Sequence, residues 1–263
     1  MPAPEGVFVD DLPSDAGDGA PLVVLVHGTM DRHQSFARVR SRLMASCHVI
    51  SYDRRGYAAS RAAQPPARGI DDHVRDLEAI LDGRRATLAG HSYGGTVVLT
   101  LAARRPDLAG AVLAYEPPLA WLERWPTADG SRTSPFAGLT AEQAAAGFLR
   151  RMVGEDRYER LPLRTRQEAE QDGEALVAEM TAIRNDPAPF DPHAIEVPAI
   201  VARGELTSDH HVWATELLAA ELPNASLRIV PGARHGGHQS HPREFAALVE
   251  EAVLLSGDTT RAT

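Results

Sequence analysis

Short, solid apolar runs punctuate the chain, each ending where glycine, histidine, proline or a charged residue takes over. LVVLVH at Leu22–His27 is apolar and β-branched up to its last residue, the pattern of a strand buried on both faces of a parallel sheet. HVISY (His48–Tyr52), ATLAGH (Ala86–His91), GAVLAY (Gly110–Tyr115), PAIVAR (Pro198–Arg203) and SLRIVP (Ser226–Pro231) predict five more strands. Between them, apolar positions recur at helical spacing. Phe36, Val39 and Leu43 form one such face, and Val74, Leu77 and Leu81 form another on a helix opened by Asp71. YGGTVVLTLAARRP is apolar nearly all round until Arg104, so its helix belongs in the core. A last helix starts at Pro242, well suited to a first turn, and buries Phe245, Leu248, Val249 and Ala252.

The alternation breaks between residues 118 and 192, where no strand pattern occurs. Thr140-Ala-Glu-Gln143 fits a capping box. Phe148 and Met152 share one face of the helix it opens, and Leu176, Met180 and Ile183 share a face of a later one. The pattern predicts an α/β fold: a doubly wound, mostly parallel sheet with helices on both faces. Its core comprises residues 1–117 and 193–263, interrupted by an inserted helical lid at 118–192. Ligands of such sheets bind beyond the carboxyl ends of the strands.

Composition narrows the function classes. The chain has 263 residues, 43% hydrophobic and 24% charged, enough for one large core. Its net charge of −9 disfavours a nucleic-acid partner. All 27 residues of the Lys and Arg class are arginine, which removes lysine Schiff-base chemistry and the Walker phosphate loop. Cys47 is the single cysteine and reads as a small buried residue at a helix-to-strand junction rather than a thiol nucleophile. The first basic residue is Arg32, and runs such as LVVLV are too short to cross a bilayer. A cytoplasmic protein with no membrane partner is the expectation.

The chemistry concentrates at strand ends. Gly90-His91-Ser92-Tyr93-Gly94 fits G-x-S-x-G between a strand and a helix, the context that gives the motif meaning. A sharp turn there holds the serine hydroxyl out at the top of the sheet, and side chains at Gly90 and Gly94 would collide. His27-Gly28-Thr29 ends the first apolar strand. The N–H groups of Thr29 and Tyr93 are the expected oxyanion hole. Pro231-Gly232-Ala233-Arg234-His235 ends the last strand and supplies a histidine able to accept the serine proton.

With HGT at 27–29, YDRRGYAAS at 52–60, GHSYGG at 90–95 and PGARH at 231–235 in this order, the sequence resembles the α/β-hydrolase family. The resemblance covers nearly the whole chain and implies a Ser-His-acid triad with no cofactor. It leaves the substrate open, because the family hosts esterases, lactonases, thioesterases, cofactor-free perhydrolases and carbon–carbon bond hydrolases. In most of the family the acid is an aspartate after the strand corresponding to PAIVAR. Thr207 occupies that place here, and Asp209 comes two residues late, where it suits the start of a helix. Glu116, in AYEPP after the preceding strand, matches a minority branch similar to the haloalkane dehalogenases and a related luciferase. That branch uses an aspartate nucleophile where dehalogenation occurs, so Ser92 does not carry that activity over. Glu116 is the first candidate and Asp209 the alternative.

The expected activity is a serine hydrolase acting through an acyl-enzyme on a small, mostly apolar carboxylic ester, lactone or thioester. Perhydrolysis or carbon–carbon cleavage at the same site, and a ligand-binding protein that keeps the fold, are the alternatives. Trp121, Trp125, Phe148 and Met152, with Phe136 and Tyr158, concentrate in the insertion, either lining an acyl pocket or forming that layer's own core. His235, His238 and His241 form a metal-like run, but the intervening glycines disfavour a helix and no neighbouring Cys or Asp completes a ligand set, so no metal is expected. His210-His211 is expected at the start of a surface helix. Arg54 and Arg55 are expected in salt bridges with Asp53 or another acid rather than on an anionic substrate. A homodimer is left open.

Overall fold

The computed structural model describes residues 4–17, 19–126 and 136–257. Seven strands form one sheet: β1 (Val9–Leu12), β2 (Leu22–Val26), β3 (His48–Tyr52), β4 (Ala86–His91), β5 (Ala109–Tyr115), β6 (Ala199–Gly204) and β7 (Ala225–Val230). Their order is β1-β3-β2-β4-β5-β6-β7, and all pairs are parallel except β1 with β3. The six parallel strands fall on the six apolar runs of the sequence within one residue at each end.

Strand β1 has no counterpart in the sequence reading. Its four residues, VDDL, place two aspartates in mid-strand and offer no alternation to detect. Backbone pairing with β3, Val9 opposite Tyr52, makes it a strand. Asp10 pairs with Arg40 at 2.7 Å, and Asp11 pairs with His48, so neither charge is left bare at the sheet edge.

The register explains the two-sided core. Ile50, Val24, Leu88, Val112 and Ala199 lie in one cross-strand row and point to one face. Leu25, Ala89, Leu113 and Ile200 lie in the next row and point to the other. Helices α1 (Ala37–Leu43), α2 (Ile70–Leu81) and α3 (Tyr93–Arg104) follow the first strands. Val74 and Leu77 of α2 and Val97 and Leu101 of α3 cover the first face, while Val39 and Leu43 of α1 cover the second.

Between β5 and β6 the described chain forms α4 (Ala141–Val153), α5 (Glu155–Arg160), α6 (Leu163–Glu170) and α7 (Gly173–Asn185). Thr140 and Gln143 cap α4 reciprocally, side chain to backbone in both directions. The apolar face of α7 is shared. Leu176 and Met180 pack with Phe136, Ala144 and Ala145 in a small cluster of the insertion, and Ile183 joins the sheet core. Beyond β6 come α8 (Asp209–Glu221), α9 (Gly237–Ser240) and α10 (Pro242–Ser256). Phe245, Leu248, Val249 and Ala252 of α10 are buried on the α1 face. Among the described residues no helix is long and apolar enough to cross a membrane.

Candidate active site

Ser92 stands between β4 and α3 at φ 53° and ψ −124°, a backbone conformation rarely taken by a residue with a side chain. Two glycines make room for it. A Cβ on Gly90 would lie 2.2 Å from the Gly94 carbonyl oxygen, and one on Gly94 would lie 2.1 Å from the Val26 carbonyl oxygen. The Ser92 N–H is held by the Tyr115 carbonyl at 2.8 Å, tying the turn to the end of the neighbouring strand. Ser92 itself is only partly buried.

His235 sits on the loop after β7. Its Nδ1 lies 2.6 Å from Glu116 Oε2. Glu116 follows β5 directly, is fully buried, and takes a positive φ of 47°. Its Oε1 accepts the Gly204 N–H at 2.8 Å, and its Oε2 also accepts the Thr207 hydroxyl at 2.8 Å. A carboxylate so surrounded by donors accepts from the ring as well, which assigns the hydrogen to Nδ1 and leaves the His235 Nε2 lone pair free. Asp209 is the first residue of α8 and is exposed, with no part in this network. Glu205, also exposed, accepts the Gly232 N–H.

Two more imidazoles bracket His235. The His211 ring stacks on it at 4.5 Å and 20°, and the His91 ring lies 4.8 Å away. His91 Nε2 donates to the His235 backbone carbonyl at 2.9 Å. Burial holds both neighbouring rings well below the ordinary histidine pKa, so they are neutral. Trp125 stands edge-on to His210 at 4.9 Å and to His211 at 5.4 Å. Contrary to expectation, His211 does not lie on a surface helix face: it begins α8 but turns inward, because the end of β6 delivers α8 to the His235 loop. Its position a few residues beyond a parallel strand's carboxyl end was the available signal.

The loop carrying Thr29 is fixed from beneath by a buried charge pair. Arg54 donates from Nε to the His27 carbonyl at 2.8 Å and from Nη2 to the Gly28 carbonyl at 2.9 Å. Its Nη1 meets Glu179 of α7 at 2.7 Å, both groups being almost wholly buried. Glu179 also accepts the Thr29 hydroxyl at 2.5 Å. Burial alone would raise the Glu179 carboxyl, but the Arg54 guanidinium and the His73 ring together outweigh it and hold the group down to about 2. Arg55 pairs with Asp76 at 2.6 Å. Both arginines are engaged by acids, although not by Asp53. Among the described residues, neither the Thr29 nor the Tyr93 N–H is donated to a protein acceptor.

The four aromatic and methionine positions of the insertion separate. Phe148 is half-buried and packs with Met30, Val177 and Met180 against the small cluster of the insertion. Trp125 reaches the histidine stack. Trp121 packs edge-on against Phe190 at 5.6 Å beside the main core. Met152 is 47% exposed. It lies one turn beyond Phe148, but α4 ends at Val153 and presents it to solvent, so it does not line an enclosed pocket. An open polar groove of about 450 Å³ lies elsewhere, lined by Arg32, Asp53, Arg61, Arg164 and Glu168 among others. Its arginines are paired with Glu168 and Asp172, so it presents no free cation to a ligand. His235, His238 and His241 go separate ways, and, contrary to expectation, the glycine-rich stretch between them does form the short helix α9.

The chain matches a model of the alpha/beta hydrolase family over residues 23–248. It is 32% identical to lipase LipV of Mycobacterium tuberculosis over 117 residues, which is 43% of this chain and 41% of that one. The chain spans about two fifths or less of the length of the curated relatives it matches. The enol-lactonase of Burkholderia xenovorans LB400 has a similar structure, with a TM-score of 0.73 at 23% identity, covering 96% of this chain and 99% of that one. A hydrolase of Pseudomonas aeruginosa PA01 gives 0.74 at 24% identity, covering 94% of each chain. At these identities the structural likeness speaks for the fold.

Proposed function

The chain belongs to the alpha/beta hydrolase family, and from that premise we propose that it is a serine hydrolase with Ser92 as nucleophile, His235 as base and Glu116 as the acid. The observation that carries this reading is the buried Glu116 carboxylate 2.6 Å from His235 Nδ1, together with a serine held at positive φ at the end of β4. Ser92 Oγ attacks the substrate carbonyl carbon while His235 Nε2 takes its proton. Glu116 stabilises the resulting imidazolium and holds its ring. The oxyanion is received by the N–H groups of Thr29 and Tyr93, at the amino end of α3, where the free N–H groups carry partial positive charge. The leaving alcohol or thiol departs with the His235 proton. Water, deprotonated by the same ring, then releases the acid from Ser92.

The substrate is a small, mostly apolar carboxylic ester, lactone or thioester. Trp125, edge-on to His211, and Met30, next to Thr29, provide apolar surface near the site, while Arg54 and Arg55 are engaged by acids. A fluorophosphonate probe tests the reading directly. The native chain gains one adduct by intact mass, and Ser92→Ala gains none. An unlabelled native chain, or equal labelling of both, overturns it.

A further inference from the structure

Three side chains from distant parts of the chain meet beside the His235 loop. Asp31 lies on the loop after β2, His91 at the end of β4, and His238 in α9. One ligand atom from each lies within 4.8 Å of the others. Both rings are buried, with centroids 4.1 Å apart, and the Asp31 side chain is 15% exposed.

The hydrogen bonds decide which ring nitrogens are free. His91 Nε2 faces the His235 carbonyl, which can only accept, so Nε2 carries the hydrogen and Nδ1 keeps a bare lone pair. That Nδ1 is buried and has no protein partner. His238 Nε2 lies 3.1 Å from Asp31 Oδ2 and 3.3 Å from the Gln239 side-chain nitrogen, and its Nδ1 is buried and without a partner. The bare His91 Nδ1, beside a second buried imidazole and a carboxylate, is a donor that the protein does not satisfy by itself.

We propose that Asp31, His91 and His238 form a binding site for a divalent transition metal of zinc's kind. Two imidazoles and a carboxylate are the donor set of open zinc sites, with a fourth position left to water. The His91 Nε2–H on a backbone carbonyl is the outer contact that orients a metal-bound histidine. His238 ligates through Nε2, the nitrogen that faces Asp31. Zinc–nitrogen bonds of about 2.0–2.1 Å require the donors to draw together. Asp31, the least buried of the three, is the side chain with room to move. The sequence run around His238 lacked an acidic partner close by in the chain, and the fold supplies one from the other end of the sheet.

The test is calorimetric titration of zinc chloride into the untagged, chelator-stripped full chain, with Co²⁺ as a spectroscopic probe of the same site. One equivalent binds to the native chain, and bound Co²⁺ gains the visible absorption of a low-coordinate site. Affinity falls at least about tenfold in His238→Gln and in the near-isosteric Asp31→Asn, each checked for a native circular dichroism spectrum, and is kept in His211→Gln. The absence of stoichiometric binding to the native chain overturns the proposal, as does equal binding in both variants. Loss in His211→Gln alone also overturns it, since the ion would then sit on the neighbouring Glu116, His211 and His235 group.

Discussion

Thr207 donates its hydroxyl to Glu116 Oε2, the same oxygen that meets His235 Nδ1. The place after β6 where the resemblance expects an aspartate is therefore occupied by a residue whose hydroxyl holds Glu116, at the end of the neighbouring strand. Gly204, on the same strand end, donates to the other carboxylate oxygen.

Glu116→Gln should lower kcat by about 10⁴, because the amide cannot hold the productive ring tautomer or stabilise the imidazolium. Asp209→Asn should stay within about twofold of the native rate, as an exposed helix-start residue. Adding Thr207→Asp to Glu116→Gln should restore about tenfold or more by returning a carboxylate to the loop beside His235. Steady-state kinetics on an activated ester decides all three. Native-like turnover by Glu116→Gln would remove Glu116 from the reaction.

Gly94→Ala should cost more than about 4 kcal/mol or prevent folding, because its Cβ would meet backbone oxygens of β2 that have no room to retreat. Urea denaturation reads the loss, and a soluble, fully active Gly94→Ala protein would contradict the tightness of this turn.

Glu179→Gln should destabilise the chain by about 3–5 kcal/mol, since it leaves the Arg54 charge buried without its partner. Replacing both, as Arg54→Met with Glu179→Leu, should cost less. The comparison of denaturation midpoints separates an unpaired charge from lost packing, and equal losses in the two proteins would point to packing.

Acid should weaken the fold early. Burial lowers His27 from 6.5 to about 4, and also lowers His73, His91 and His211. The unfolded chain binds these protons before the folded chain does, so stability rises with pH. The contribution is complete above 6.5 and is lost as pH falls toward about 4, at up to about 1.4 kcal/mol per pH unit for each ring. Urea midpoints measured from about pH 7.5 down to about pH 5 should decline steadily. A flat series would mean that the rings charge inside the intact fold.

The parallel strands were readable because burial on both faces leaves a continuous apolar run. Ser92, His235 and the two competing acids were readable because short motifs mark strand ends. Pairing across the sheet was not. VDDL becomes a strand only through β3, and nothing local in Thr207 reveals that its hydroxyl points at Glu116. His211 was missed because a helix start is polar in sequence whether it faces water or another imidazole. Asp31 and His238 are separated by most of the chain, so their contact exists only in three dimensions. Met152 shows the reverse error, in which helical spacing placed a residue on a buried face just as the helix ran out.

The ion pair beneath the oxyanion loop also bears on how substrate gets in. Swinging α7 away from the sheet would strip Arg54 of its counter-charge, so this helix is a fixed wall rather than a flap. A lipase whose cover must be lifted by an oil–water interface gains rate when its substrate aggregates. A wall held as α7 is gives no such response. Its rate should follow one saturation curve through the critical micelle concentration of a medium-chain ester, with no upward break.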